Sequence, residues 1–255
     1  MAALDDCWQR IEWANSDGQT TQNLIDGFIA THPYTIHLEP HEDRRKATFE
    51  RTIDPSSEAE HLAAITKSLG SFLDNTTAAL NYLTYQLALL SIREDPPLKG
   101  VLKPDAVEFP IFDSRKLYRK QGRIKNLPDK YRVPIEDIQP YNGGHKGLWM
   151  LFELARNWRH RLIHPIAAWA PDQFQGVNAQ GVSEIEIVYR ARPLKHGDVV
   201  LTFRADDSAN VYPDVAIAIG IDHPLCRDRG CAGVLQTIMD EVGPILGSLE
   251  ARFFP

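Results

Sequence analysis

The residues best suited to chemistry lie together in the segment Arg156-Asn157-Trp158-Arg159-His160-Arg161-Leu162-Ile163-His164. Imidazole takes up and releases a proton near neutral pH, and guanidinium is a permanent cation whose fork of donors matches phosphate. Together they suit phosphodiester cleavage. Histidine accepts the proton of a ribose 2′-hydroxyl or protonates the leaving oxygen, while arginine stabilises charge on a phosphorane-like transition state, and no metal is required. On a helix, positions 156, 160 and 164 lie one above another, and Arg159, five residues before His164, sits about 140° around the axis at the same helix end. Arg159, His160 and His164 are therefore the candidate catalytic residues. Arg156 and Arg161 flank them as substrate contacts. A purely structural reading of the same residues stays open, because cations in a helix's last turn complement the negative end of its dipole by ~0.3–1 kcal/mol each.

A second basic stretch lies between Arg115 and Arg132, where eight cations (Arg115, Lys116, Arg119, Lys120, Arg123, Lys125, Lys130, Arg132) face one acid, Asp129. Arg119, Lys120 and Arg123 could follow a phosphate backbone while Tyr118 and Tyr131 stack on bases, the usual way of holding single-stranded RNA. The competing reading is a solvated, basic helix and turn. The formal net charge of −6 gives no global pull toward nucleic acid or an anionic membrane, so any anion site is local. His223-x2-Cys226-x4-Cys231 lacks a standard zinc spacing and reads as a loop with two free thiols. His37, Glu39 and His41 alternate onto one strand face and read as solvated polar side chains. Neither a metal nor a cofactor is expected. The chain contains no G-x-x-x-x-G-K-[ST], G-x-G-x-x-G, G-x-S-x-G or H-E-x-x-H, which removes the usual support for P-loop hydrolases, Rossmann oxidoreductases, serine esterases and zincins.

Several elements must position these residues. Leu4, Trp8, Ile11, Leu24, Ile25, Phe28 and Ile29 recur at helical spacing, which predicts one long helix over about 2–31 with a kink at Gly18 and an end at His32-Pro33. The alternation in YTIHLEP and KATFERTI around a polar turn predicts a hairpin over about 34–53. A serine-capped helix over 57–91 carries Leu62, Ile65, Leu69, Phe72, Leu73, Leu80, Leu83, Leu87 and Leu90 on one stripe. Prolines make 95–112 a surface loop, and Tyr141-Asn142-Gly143-Gly144 breaks the chain before a helix over 147–164 that Pro165 closes. EIEIVYRARP, DVVLTFRAD and DVAIAIGI, with His196-Gly197-Asp198 as a turn, predict antiparallel strands over about 183–221 that recruit the early hairpin. A closing helix over about 233–253, kinked at Pro244, covers that sheet.

Arg159-His160-x-x-x-His164 resembles the Arg-polar-x-x-x-His signature of HEPN-type ribonucleases, and WRHRLIH is similar to that family's helix-end segment. LDNTTAALNYLTYQLA resembles the long first helix of such bundles. The resemblance implies a HEPN-like helical core over 57–165 and a homodimer in which two copies of Arg and His form a metal-independent RNA-cleaving cleft. The chain as a whole is also similar to an uncharacterised group of mainly actinobacterial proteins with the same long helix, an FPIF segment, a PYNGG-like break and LWxLFEL before a basic-His segment. In that group the basic segment often reads Asp-Lys-His-Arg, where this chain has Trp158-Arg159-His160-Arg161.

The expectation is thus an α+β protein of one domain, residues 1–255, with a helical core and a β-rich region over 181–255 plus its closing helix. Three cysteines, an odd number, and no secretory leader favour a reducing cytoplasm, and no apolar run approaches the ~18 residues that span a bilayer. Single-stranded RNA, rather than DNA or a membrane, is the expected partner. The alternative function is a non-catalytic binding or interaction protein in which the basic helix end is structural.

Overall fold

The structure, a computed structural model, describes residues 4–41, 44–161, 163–169, 182–187, 194–205, 217–226 and 229–255. Its α+β elements run in the order α1 (Asp5–Ile29), β1 (Tyr34–His41), β2 (Arg44–Arg51), α2 (Pro55–Glu94), α3 (Arg115–Lys120), α4 (Asp129–Asp137), α5 (Pro140–Gly143), α6 (Lys146–His160), β3 (Pro165–Trp169), β4 (Val182–Ile187), β5 (Val199–Ala205), β6 (Ile217–Ile221) and α7 (Cys231–Phe253). Between α2 and α3 the proline-rich stretch forms two short 3-10 turns, Pro96–Gly100 and Pro104–Ala106. The chain divides into two compact units. One is made of Met1–Gln19, Ser68–Leu162 and Val234–Pro255, the other of Thr20–Lys67 and Ile163–Gly233.

The first unit is a helical bundle. α1 and α2 run antiparallel, tied by Asn75 Nδ2 to Asp17 Oδ2 (2.8 Å), Arg10 Nη1 to Asn75 Oδ1 (2.9 Å) and Tyr82 Oη to Asp6 Oδ2 (2.7 Å). α1 runs through Gly18 unbroken, and Phe72 of α2 packs where a Cβ would point. The predicted stripe on α2 is buried from Ile65 to Leu87, with Leu69, Leu73, Leu83 and Leu87 inaccessible to solvent, while Leu62 and Leu90 at its ends are half-buried. Thr76, Thr84 and Ser91 lie buried beside it and satisfy their hydroxyls on the carbonyls of Phe72, Leu80 and Leu87 one turn back. α6 approaches α2 so closely at Gly70 that a Cβ there would overlap the ring of Trp158, whose Nε1 donates to Asp74 Oδ2 (3.0 Å). α7 joins α1 through Trp8 Nε1, which donates to Glu250 Oε2 (2.8 Å). It meets α6 at Gly147, where a Cβ would overlap the carbonyl oxygen of Thr237.

The second unit holds the sheets. β1 and β2 form the expected hairpin, Tyr34 opposite Arg51 through His41 opposite Arg44. β2 then pairs antiparallel with β5, and β5 with β4, in the order β1-β2-β5-β4, so the early hairpin is recruited as expected. The turn at Gly197, in the left-handed region at φ 86°, is stitched to β2 by Gly197 N to Phe49 O and Phe49 N to Asp198 O, both 2.8 Å. One expectation changes: β6 does not join this sheet. It pairs antiparallel with β3, a strand starting at Pro165, in a separate two-stranded ladder. The YRAR portion of the predicted strand, residues 189–192, lies outside the described residues. Glu58, 7% exposed, is held by Tyr34 Oη (2.7 Å) and Arg51 Nε (3.1 Å), and burial together with that carboxylate pushes the Tyr34 phenol well above its ordinary range. The cap of α2 is Asp54 rather than serine. Its Oδ1 accepts from the backbone of Ser56 (2.9 Å) and Ser57 (3.3 Å), and Pro55 takes the first helical position.

The close approach at Gly147 predicts that Gly147→Ala destabilises the protein by ~1–3 kcal/mol, whereas Gly243→Ala in α7, with nothing within 4 Å of its Cβ, stabilises it by roughly 0.5–1 kcal/mol. Urea melts of the two variants check the opposite signs. Thr48, 7% exposed at the irregularity between β2 and β5, has a hydroxyl with no hydrogen-bond partner among the described residues. Thr48→Val should therefore raise the urea midpoint, by about 1 kcal/mol in stability.

Candidate functional site

α6 is amphipathic, with Leu148, Met150, Leu151, Leu154 and Ala155 buried and the cations of its last turn outside. Its first amides are capped from a distant part of the sequence. Glu241 of α7 accepts from Gly147 N through Oε1 (2.9 Å) and from Leu148 N through Oε2 (3.0 Å), the donors that a helix start leaves unpaired. His145 precedes the helix with Nδ1 3.8 Å from Glu241 Oε2.

The other end departs from expectation. α6 stops at His160, four residues before His164, and Arg161 is extended (φ −151°, ψ 158°), its N–H still reaching Asn157 O. Continuation to 164 would press the ring of Pro165 toward the carbonyl of Arg161 and leave that carbonyl without a donor. The backbone has a better alternative. Asp222 N donates to His164 O (3.0 Å), extending the ladder in which Pro165 faces Ile221, while Ile163 is buried. His164 therefore does not stack one turn above His160, and the 140° relation to Arg159 does not apply. Arg159, His160 and Arg161 belong to the first unit, and His164 belongs to the second.

All five candidate side chains of this segment are exposed. Arg156 pairs with Glu153 (2.7 Å), and Arg159 Nε donates to the carbonyl of Ala155 (3.3 Å). His160, Arg161 and His164 have no side-chain hydrogen bond or ion pair among the described residues.

The basic stretch is less available than its composition suggests. Arg115 pairs with Glu136 (3.7 Å), Arg123 with Glu108 (3.3 Å), Lys130 with Glu94, and Arg132 with Asp129. Lys116, Arg119, Lys120 and Lys125 are exposed without an acidic partner among the described residues. Tyr118 cannot stack on a base. It is 3% exposed, edge-on to Phe112 and Tyr141, with Oη donating to Arg132 O (3.1 Å), and burial pushes its phenol well above the ordinary range. Tyr131 is likewise buried, against Phe253. α3 is too short to bury more than one face, and the single large aromatic in it takes the inside position.

Cys7, Cys226 and Cys231 are buried, and burial pushes the thiols of Cys7 and Cys231 up to about 12, which keeps both protonated and poor as nucleophiles or metal ligands. Among the described residues no three His, Cys, Asp or Glu side chains are grouped so as to hold a metal ion, and no helix is long and apolar enough to cross a membrane. No protein-family model matches the chain, and comparisons with curated proteins and with solved structures return no match.

Sequence reasoning missed Glu241. It lies 94 residues from Gly147, and nothing local to either position marks the pair. Glu241→Ala should cost about 1–2 kcal/mol by leaving two amides unpaired, with faster hydrogen exchange at Gly147 and Leu148. Glu241→Gln, which keeps one acceptor oxygen, should be milder in the same measurements.

Proposed function

We propose that the protein binds single-stranded RNA at the exposed basic end of α6 and cuts it as a metal-independent endoribonuclease. The observation that carries the reading is the exposure of Arg159, His160 and Arg161 at the end of α6, none of them paired with an acid among the described residues. Cations left in water without acidic partners are free to neutralise phosphates, and this term supplies most of the affinity for nucleic acid. The cleavage step rests on the resemblance of Arg159-His160-x-x-x-His164 to the HEPN-type signature. Arg159 takes the transition-state charge, His164 is the general acid or base, and His160, Arg156 and Arg161 hold the backbone. Arg119 and Lys120, exposed on α3, extend the RNA-binding surface, while Arg123 contributes only by leaving Glu108. A homodimer follows from the same resemblance. A second, non-catalytic reading is favoured by one specific contact: Arg159 already donates to the Ala155 carbonyl, as a residue capping its own helix would.

Fluorescence anisotropy with a labelled single-stranded RNA in EDTA, over a salt series, tests binding. Replacement of Arg159 and Arg161 together by alanine should flatten the slope of log affinity against log salt by about 1.4, near 0.7 for each phosphate no longer neutralised. Unchanged affinity and slope would remove this segment as the RNA site. Gel analysis of the same mixtures tests cleavage: wild type should cut the RNA and His164→Ala should not. No cutting by wild type, or equal cutting by both, leaves the binding and capping roles and eliminates the enzyme.

A further inference from the structure

Within the first unit, the end of α4, the residue preceding α6 and the C-terminal half of α7 line a half-open cavity of about 370 Å³. That is within the usual size range of small-molecule sites and far larger than an ion needs. Its walls are mainly apolar, contributed by Ile138, Pro244, Ile245 and Leu249. Its charges are unequal. Asp137, Asp240 and Glu241 line it against one permanent cation, Arg252, with His145 as the imidazole.

These groups are not equally occupied. Glu241 is turned to the amides of Gly147 and Leu148, and one oxygen of Asp240 accepts from Gln236 Nε2 (2.6 Å). Arg252 lies over the ring of Phe253, 5.4 Å from its centroid. Asp137 is exposed and has no hydrogen-bond or ion-pair partner among the described residues.

We infer that this cavity binds a small organic cation, an ammonium group carried on an apolar body. Three features select that class. The carboxylates do not form a group of metal-ligating geometry, and hard metal ions take converging oxygen ligands rather than aliphatic walls. An anionic ligand would meet Asp137 and Asp240 with charge of its own sign, whereas an ammonium finds in Asp137 a carboxylate without a competing partner. The apolar walls then bury the body of the ligand, which supplies most of the binding free energy while the charge orients it. The wall is also firm. Gly147 brings α6 against the backbone of α7 at Thr237, and Glu241 locks the same approach, so the cavity is pre-formed.

Titration of the full chain with 2-phenylethylammonium, followed by the methyl NMR signals of Ile138, Ile245 and Leu249, tests the inference. Saturable shifts confined to those methyls are expected, with 3-phenylpropionate, the same ring with opposite charge, binding at least about tenfold more weakly. The double variant Asp137→Asn/Asp240→Asn alters exposed side chains and keeps an acceptor for Gln236, and its melting curve confirms folding. It should weaken the ammonium probe by about tenfold and leave the anion no weaker. Shifts that never saturate, equal affinity for the two probes, or an unchanged affinity in the folded double variant would each overturn the inference.

Discussion

The burial of one apolar stripe along α2 is the constraint on which the rest of the first unit depends. Forty residues of unbroken helix cannot be held by propensity alone, and most of their stability must come from the face they hide. Leu69, Leu73, Leu83 and Leu87 are fully covered, and each such side chain contributes on the order of 2 kcal/mol through area removed from water. Covering that face requires α1 on one side and α6 on another. The polar groups that share it are covered too, because Thr76, Thr84 and Ser91 are buried and turn their hydroxyls to carbonyls of their own helix.

Close packing is achieved through glycine at two positions. Gly70 admits the ring of Trp158, and Gly147 admits the backbone of α7. In both cases a side chain on one helix would occupy space already filled by the other. The polar complements are matched to these approaches: Asp74 takes the indole N–H beside Gly70, and Glu241 takes two amides beside Gly147. Glu241 does this at the positive end of the α6 dipole, where a carboxylate is favoured both as acceptor and as charge. α6 is thus fixed near its start by α7 and near its end by Trp158. Its last turn, with Arg159 and His160, is presented on a supported helix rather than on a free loop.

The end of α6 illustrates competition between local and tertiary preferences. Locally, Arg156 to Ile163 satisfies a helical period, and Pro165 sets only an outer limit. Ile163 and His164 leave the helix because the residue after β6 offers Asp222 N–H to the carbonyl of His164, and because Ile163 becomes buried. The same logic explains Tyr118. Its neighbours on α3 are cations that must stay wet, so the aromatic ring takes the inside and its hydroxyl finds Arg132 O. Half of the surrounding cations then meet Glu136, Glu108, Glu94 and Asp129, leaving a weaker field than the residue count implies.

What the sequence determined by itself was whatever depends on near neighbours. The three-and-four spacing of Leu62 to Leu90 dictates a helix with one buried face, the alternation of YTIHLEP and KATFERTI dictates a hairpin, and Gly197 marks a turn that needs positive φ. Helix ends were less legible, since Asp54 and the serines after it are all competent caps and only geometry chooses between them. Tertiary structure alone decided that β6 pairs with β3, that α6 ends at His160, that Glu241 caps it, and that Asp137, His145 and α7 share a cavity. The physical reason is common to all four. Each depends on a partner that is distant in the chain, and hydrogen-bond acceptors and apolar surfaces carry no mark of which distant group will meet them.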